Sequence, residues 1–243
     1  MRRKALIISN PGESGANNYC EGVNKDVKNY KQFLMSPQGG YWFEEEVICL
    51  NRPSIDTLKA NLQQLSNIDY TLIVFCGHGY SFGDQTILEL KSECEIPEKL
   101  LRNNYKKRTI ILDCCRKQAN NINESIIHEF AAAIEKRDID GIEARRYYDE
   151  IISSCDNGIV VAYACDLNET AGDDSRNGGY YSYSLLQSAT KWSEEFHYYK
   201  GYKSIVEMHQ RASILTREKN EYQQNPQIEK PRSCPYFPFV VYV

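Results

Sequence analysis

Three stretches of this chain place chemically capable side chains directly behind apolar runs. Cys76-Gly77-His78-Gly79 follows a run ending at Phe75, Asp113-Cys114-Cys115-Arg116 follows one ending at Leu112, and Ala164-Cys165-Asp166 follows one ending at Tyr163. An imidazole and a thiol together suffice for attack on a carbonyl, because the thiolate is the nucleophile and the ring can take the thiol proton or stabilise the ion pair. Glycines on both sides of His78 permit a tight turn and leave backbone N–H groups approachable. The amides of Gly79 and Cys115 fall where donors to a tetrahedral oxyanion are needed. Each feature alone is ordinary, since a histidine beside glycine is usually a loop residue and a cysteine at a strand end is usually inert. Their joint occurrence is what points to a site.

Such side chains need a scaffold that delivers strand ends to one crevice. Residues 4–10, 70–75, 109–112 and 158–163 are unbroken apolar runs, as strands covered on both faces must be. Helical spacing separates them: Val23, Val27, Tyr30 and Leu34, then Ile55, Leu58, Leu62 and Leu65 behind a Ser54 N-cap. The alternation predicts an α/β fold with a mostly parallel sheet and helices on both faces, and in such sheets ligands collect at the carboxyl ends of the strands. Residues 45–50 and 239–243 bring the expected strand count to six. Residues 123–154 are strongly charged and read as one or two surface helices, with Ile127, Phe130 and Ile134 on one face and Glu135, Lys136, Arg137, Arg145 and Arg146 exposed. Further helices are expected over 181–189 and 205–215, where Ile205, Met208, Ala212 and Leu215 form a stripe that makes Met208 core filling.

Nothing rich in Pro, Gly or Ser divides the 243 residues, so one domain, 1–243, is expected. A net charge of −4 without a basic run argues against a dedicated nucleic-acid binder. The apolar run behind Met1-Arg2-Arg3-Lys4 is too short for a signal-peptide core and no stretch could span a bilayer, so a cytoplasmic location without membrane contact is expected. Nine cysteines, an odd number with no C-x-x-C pair, suit neither a disulfide framework nor a zinc site, and most should be reduced and buried. His128, His197 and His209 lack ligand-like spacing and are expected at the surface. No G-x-G-x-x-G follows the first strand, which removes the support for a nucleotide-binding reading.

Phe75-Cys-Gly-His-Gly79 followed by Ile110-Ile-Leu-Asp-Cys-Cys-Arg116 resembles the histidine and cysteine motifs of caspase-like cysteine peptidases, nearest to metacaspases and bacterial caspase homologues. Residues 4–8 with Gly22-Val-Asn-Lys-Asp26 are similar to the family's first strand and the helix start behind it. The segment from Tyr163 to Asp173 resembles the metacaspase small-subunit segment, and residues 178–186 and 224–227 follow in the family's order. The resemblance implies a three-layer caspase-like sandwich and a thioester-forming endopeptidase. It makes Cys115, the second residue after the aspartate, the nucleophile, His78 the base and Cys114 a structural neighbour. It also implies that Asp113 and Asp173 line an acidic pocket, which favours Arg or Lys through charge-assisted hydrogen bonds. The plainer reading of Asp113 is that it caps a turn. Protein or peptide substrates with a basic residue before the scissile bond are thus expected, and a role in cell death or antiphage defence through a pore-forming or other effector substrate rests on the resemblance alone.

By the same resemblance residues 1–120 and 157–243 correspond to large- and small-subunit parts, and 121–156 to the linker that many members cleave. Lys136, Arg137, Arg145 and Arg146 are then candidate self-cleavage positions, with a solvated helical face as the alternative. Some metacaspases require calcium, but Asp138, Asp140, Asp173 and Asp174 fall into no single site by spacing, so no metal or other cofactor is expected. Two departures stand out: Arg116-Lys-Gln118 replaces the usual His-Ser-Gly, and Glu169 stands where glutamine is common. The glycine missing after Cys115 keeps open the alternative of a catalytically silent module that binds a partner.

Overall fold

The computed structural model describes residues 1–103, 106–117, 140–196, 199–221, 223–232 and 234–243. In chain order the elements are β1 (Arg3–Asn10), α1 (Gly22–Met35), β2 (Val47–Asn51), α2 (Ile55–Gln64), β3 (Tyr70–Gly77), β4 (Gly79–Phe82), β5 (Gln85–Lys91), β6 (Cys94–Pro97), β7 (Lys107–Asp113), α3 (Gly141–Ser154), β8 (Gly158–Tyr163), β9 (Asp173–Asp174), β10 (Gly178–Gly179), α4 (Tyr180–Glu195), β11 (Gly201–Ser204), α5 (Ile205–Lys219), β12 (Gln227–Glu229) and β13 (Pro238–Tyr242). Six strands form one sheet in the order β12-β8-β7-β3-β1-β2. Every neighbouring pair is parallel except β12 against β8.

The apolar runs are continuous because both faces of this sheet are covered. Successive side chains of a strand point to opposite faces. Ala5, Ile7, Leu72 and Val74 meet one core, with α1, α3, α4 and α5. Leu6, Ile8, Ile73 and Phe75 meet the other, with Leu58 and Leu62 of α2 and with Leu88, Leu90 and Ile96 of a small antiparallel sheet, β4-β5-β6. The three-layer, mostly parallel α/β sandwich is therefore present; among the described residues, four helices lie on one face and one helix plus a second sheet on the other. β5 alternates strictly, burying Thr86, Leu88 and Leu90, as a strand covered on one side does. Ser54 caps α2 by accepting from Thr57 N at 3.1 Å.

Three expectations are corrected. The sixth strand of the main sheet is β12, not residues 239–243. The latter lie in β13, which pairs with β11 inside the helical layer. There Phe239 stacks on Phe33 at 5.0 Å and the Pro238 carbonyl accepts from Tyr148 Oη at 2.7 Å. The charged stretch contains a packed helix: α3 buries Ala144, Tyr148, Ile151 and Ile152. Its Arg145 is half-buried, bidentate to Glu46 at 2.7 and 2.6 Å and 4.0 Å above the Phe43 ring, whereas Arg146 is exposed. Ile127, Phe130, Ile134, Glu135, Lys136 and Arg137 lie outside the described residues, as do His128 and His197.

The third correction concerns His209, which is buried at 5 % exposure between α4 and α5. Tyr181 Oη is 2.7 Å from its Nδ1 and Ser213 Oγ is 3.2 Å from its Nε2. The Ser213 hydroxyl already donates to the His209 carbonyl at 2.7 Å, so the ring is the Nε2–H tautomer, accepting from Tyr181 and donating to Ser213. Burial, with help from Arg217, holds its pKa down at about 4. Among the described residues no helix is long and apolar enough to cross a membrane.

Candidate active site

In the parallel pairing of β3 with β7, Cys76 stands opposite Asp113. His78 and Cys115 therefore lie equally far beyond one matched pair, at adjacent carboxyl ends. Gly77 makes the exit possible: its φ is +145°, and a Cβ there would collide with the Asn10 carbonyl. The chain thus leaves the main sheet through His78 into β4. β4 then runs beside the cysteine loop, with Ser81 N donating to the Lys117 carbonyl at 3.3 Å. A Cβ on Gly79 would fall 2.9 Å from Cys114 Sγ. The histidine and cysteine loops predicted from sequence are brought together.

Strand parity separates the two adjacent thiols. Asp113 points to the four-helix face and Cys114 to the small-sheet face, where it is 2 % exposed. Burial pushes the Cys114 thiol well up, and Cys165 is likewise raised. Cys115, half-buried in the loop beyond the strand, donates from Sγ to the Ala171 carbonyl at 3.7 Å. All nine cysteines are free thiols, five of them buried. His78 is half-buried, with its Nε2 enclosed and without a hydrogen-bond partner.

The arginine directly behind the nucleophile, one of the two departures from the family pattern, proves to be an anchor. Arg116 is 7 % exposed; its Nε donates to Thr86 Oγ1 at 2.9 Å, its Nη1 to the Cys165 carbonyl at 3.1 Å, and its guanidinium lies 4.0 Å above the Tyr163 ring. Its backbone also pairs with the following loop, Arg116 N to Glu169 O and Asn168 N to Arg116 O, both at 2.9 Å. Glu169 in turn accepts from Asn225 N and Nδ2 at 2.7 and 2.6 Å. Both departures from the family pattern thus brace the nucleophile loop.

The acidic residues converge beside it. Asp113, 6 % exposed, accepts from Ser182 N at the start of α4 at 2.9 Å, and burial raises its pKa. Asp173, in β9, has a carboxyl raised to about 6 by burial and by the charge of Asp113, and its Oδ1 has no hydrogen-bond partner. Sequence reasoning missed the third member, Asp26 of α1. It is 2 % exposed, accepts from Gly179 N at 3.0 Å, and keeps Oδ1 unpartnered. Burial, Asp113 and Asp173 push its pKa well up. Close approach needs glycine at Gly22, where a Cβ would strike Asp173, and at Gly179, where it would strike Asp113. The available signal was that Asp26 shares the buried stripe of Val23, Tyr30 and Phe33.

The remaining site expectations are placed as follows. Arg145 and Arg146 sit inside α3, while Lys136 and Arg137 lie outside the described residues. Asp140 caps α3 by accepting from Ile142 N at 2.9 Å, Asp174 closes a turn onto Arg176 N at 2.8 Å, and Asp138 lies outside the described residues. Among the described residues no group of three or more His, Cys, Asp or Glu side chains is arranged to hold a metal ion. A family model described as a caspase domain matches residues 2–237. No curated protein matches the chain.

Proposed function

The chain belongs to the caspase-domain family of cysteine peptidases, and on that premise we propose that it is an endopeptidase that cuts protein chains after Arg or Lys. The Cys115 thiol gives its proton to His78, and the resulting thiolate attacks the scissile carbonyl carbon. The backbone N–H groups of Gly79 and Cys115 receive the oxyanion. As the C–N bond breaks, His78 returns the proton to the leaving amine, and a thioester remains on Cys115. Water then attacks that thioester with His78 as base, releasing the carboxylate product and the thiol.

The observation that carries the specificity is the meeting of Asp26, Asp113 and Asp173 beside the nucleophile loop, with Asp26 Oδ1 and Asp173 Oδ1 both unpartnered. Unpaired buried acceptors are costly, and a guanidinium or ammonium group entering from the substrate would satisfy them with charge-assisted bonds. As self-cleavage positions Arg145 and Arg146 are disfavoured, because both lie within the packed helix α3. The substrates themselves would be proteins of the same compartment, an effector protein among them.

A panel of fluorogenic peptides differing only at the residue before the scissile bond, assayed with and without calcium, tests the proposal. Cleavage after Arg and Lys that Cys115→Ala abolishes is expected. Cleavage confined to other residues would overturn the pocket assignment, and no turnover of any peptide would favour the partner-binding module.

A further inference from the structure

We propose that Asn10 is a positioning residue for His78, an inference that rests on the reading of His78 as the base. Asn10 ends β1, opposite Gly77 in the parallel pairing, and is fully buried. A buried amide must be satisfied, and this one is spent entirely on the histidine's surroundings. Its Nδ2 donates to the Glu89 carbonyl at 2.8 Å and its Oδ1 accepts from Gly12 N at 3.2 Å.

The same two residues hold the histidine backbone. The Asn10 carbonyl accepts from His78 N at 3.3 Å, and Glu89 N donates to the His78 carbonyl at 3.1 Å. Asn10 and Glu89 thus grip the two sides of residue 78, and the Asn10 side chain ties that grip together. Its other arm fixes the turn at Gly12, whose φ is +92°. That turn forms a wall beside the ring, since a Cβ on Gly12 would lie 3.1 Å from His78 Nε2. Without the Asn10 amide both the wall and the bracket lose their common tie. Small displacements of a catalytic group cost rate rather than binding.

The test compares wild type, Asn10→Ala, Asn10→Asp, His78→Ala and the double variant Asn10→Ala/His78→Ala. Each is measured for kcat and KM on an Arg peptide, for the pH profile of Cys115 alkylation by iodoacetamide, and for thermal melting. Asn10→Ala is expected to lower kcat by about 10- to 100-fold with KM changed less than about threefold, and to displace the alkylation profile along the pH axis. Asn10→Asp, which keeps the acceptor for Gly12 N, covers the case in which the alanine variant does not fold, and should lose less. In the His78→Ala background the Asn10 substitution should leave the alkylation profile where it is. An equal displacement with and without the imidazole, or a loss confined to KM, would overturn the proposal. A profile unmoved by His78→Ala alone would instead overturn the assignment of His78 as base.

Discussion

Gln224 holds Gly172: its Oε1 accepts the Gly172 N–H at 2.9 Å, while its Nε2 donates to the Ala164 carbonyl at 2.9 Å. The loop spanned by these two bonds contains Ala171, whose carbonyl receives the Cys115 thiol, and leads directly into Asp173. A fully buried side chain beyond α5 therefore sets the pocket wall relative to the nucleophile.

Gln224→Ala strands a half-buried N–H and a buried carbonyl, the buried one worth about 1–3 kcal/mol and the half-buried one about 1 kcal/mol. The expected result is a loss of about 2–4 kcal/mol in urea unfolding, accompanied by a rise in KM for Arg peptides as the Asp173 wall slackens. A stability loss with unchanged KM would disconnect the loop from substrate binding.

The two adjacent thiols should separate cleanly. Cys115→Ala is expected to lower kcat by at least about a thousandfold with little effect on melting. Cys114→Ala, which opens a small cavity against Gly79, should cost about 1–2 kcal/mol and leave kcat within about tenfold. Mass mapping of iodoacetamide adducts at neutral pH should find Cys115 modified ahead of Cys114 and Cys165, whose thiols burial holds up.

Asp173 gives a pH dependence of definite sign. Its carboxyl titrates at about 6 in the free fold, so kcat/KM for basic peptides should fall as pH drops through that value and the negative charge is lost. The stability effect runs the other way. A folded pKa raised above the unfolded one contributes stability below the unfolded value, and that contribution is lost as pH rises through about 6. Asp173→Asn should therefore weaken Arg-peptide binding, remove the acid limb of the profile, and stabilise the unliganded fold above neutral pH by about 1–2 kcal/mol after allowing for its partial exposure. Pairing denaturation curves with pH–rate profiles checks both.

His209 carries the opposite linkage. Its pKa is depressed to about 4, so its contribution is complete above the unfolded value and is lost as pH falls toward the folded one. The loss amounts to about 3 kcal/mol between about pH 6.5 and about pH 4. His209→Gln should make the acid side of the stability curve shallower, read as the difference in urea midpoints between variant and wild type at the two ends of that range. Parallel curves would show that the imidazole is not what titrates.

The parts of the molecule that could be read from the chain are those in which burial on both faces writes itself as an apolar run. β3 and β7 are such runs, and their ends named His78 and the cysteine pair. β12 could not be read that way, because an edge strand of three residues, Gln-Ile-Glu, with one sheet neighbour needs no apolar pattern. β13 carries the pattern of a buried strand, yet burial does not say which layer buries it. Asp26 and His209 escaped for a different reason: each is a polar residue inside an apolar helical stripe, and only the partner across the interface, Gly179 for one and Tyr181 for the other, reveals why it is there.

Between Lys117 and Asp140 the chain passes from β7 to α3, and β7 and β8 are immediate neighbours in the sheet, paired from Lys107 with Gly158 to Leu112 with Tyr163. The Arg145–Glu46 bridge and the Arg3–Asp149 pair at 3.0 Å tie α3 back to the first half as well. Severing the chain between them would accordingly yield two bands under denaturing electrophoresis and a single species of undiminished size in gel filtration, a nicked protein that stays in one piece.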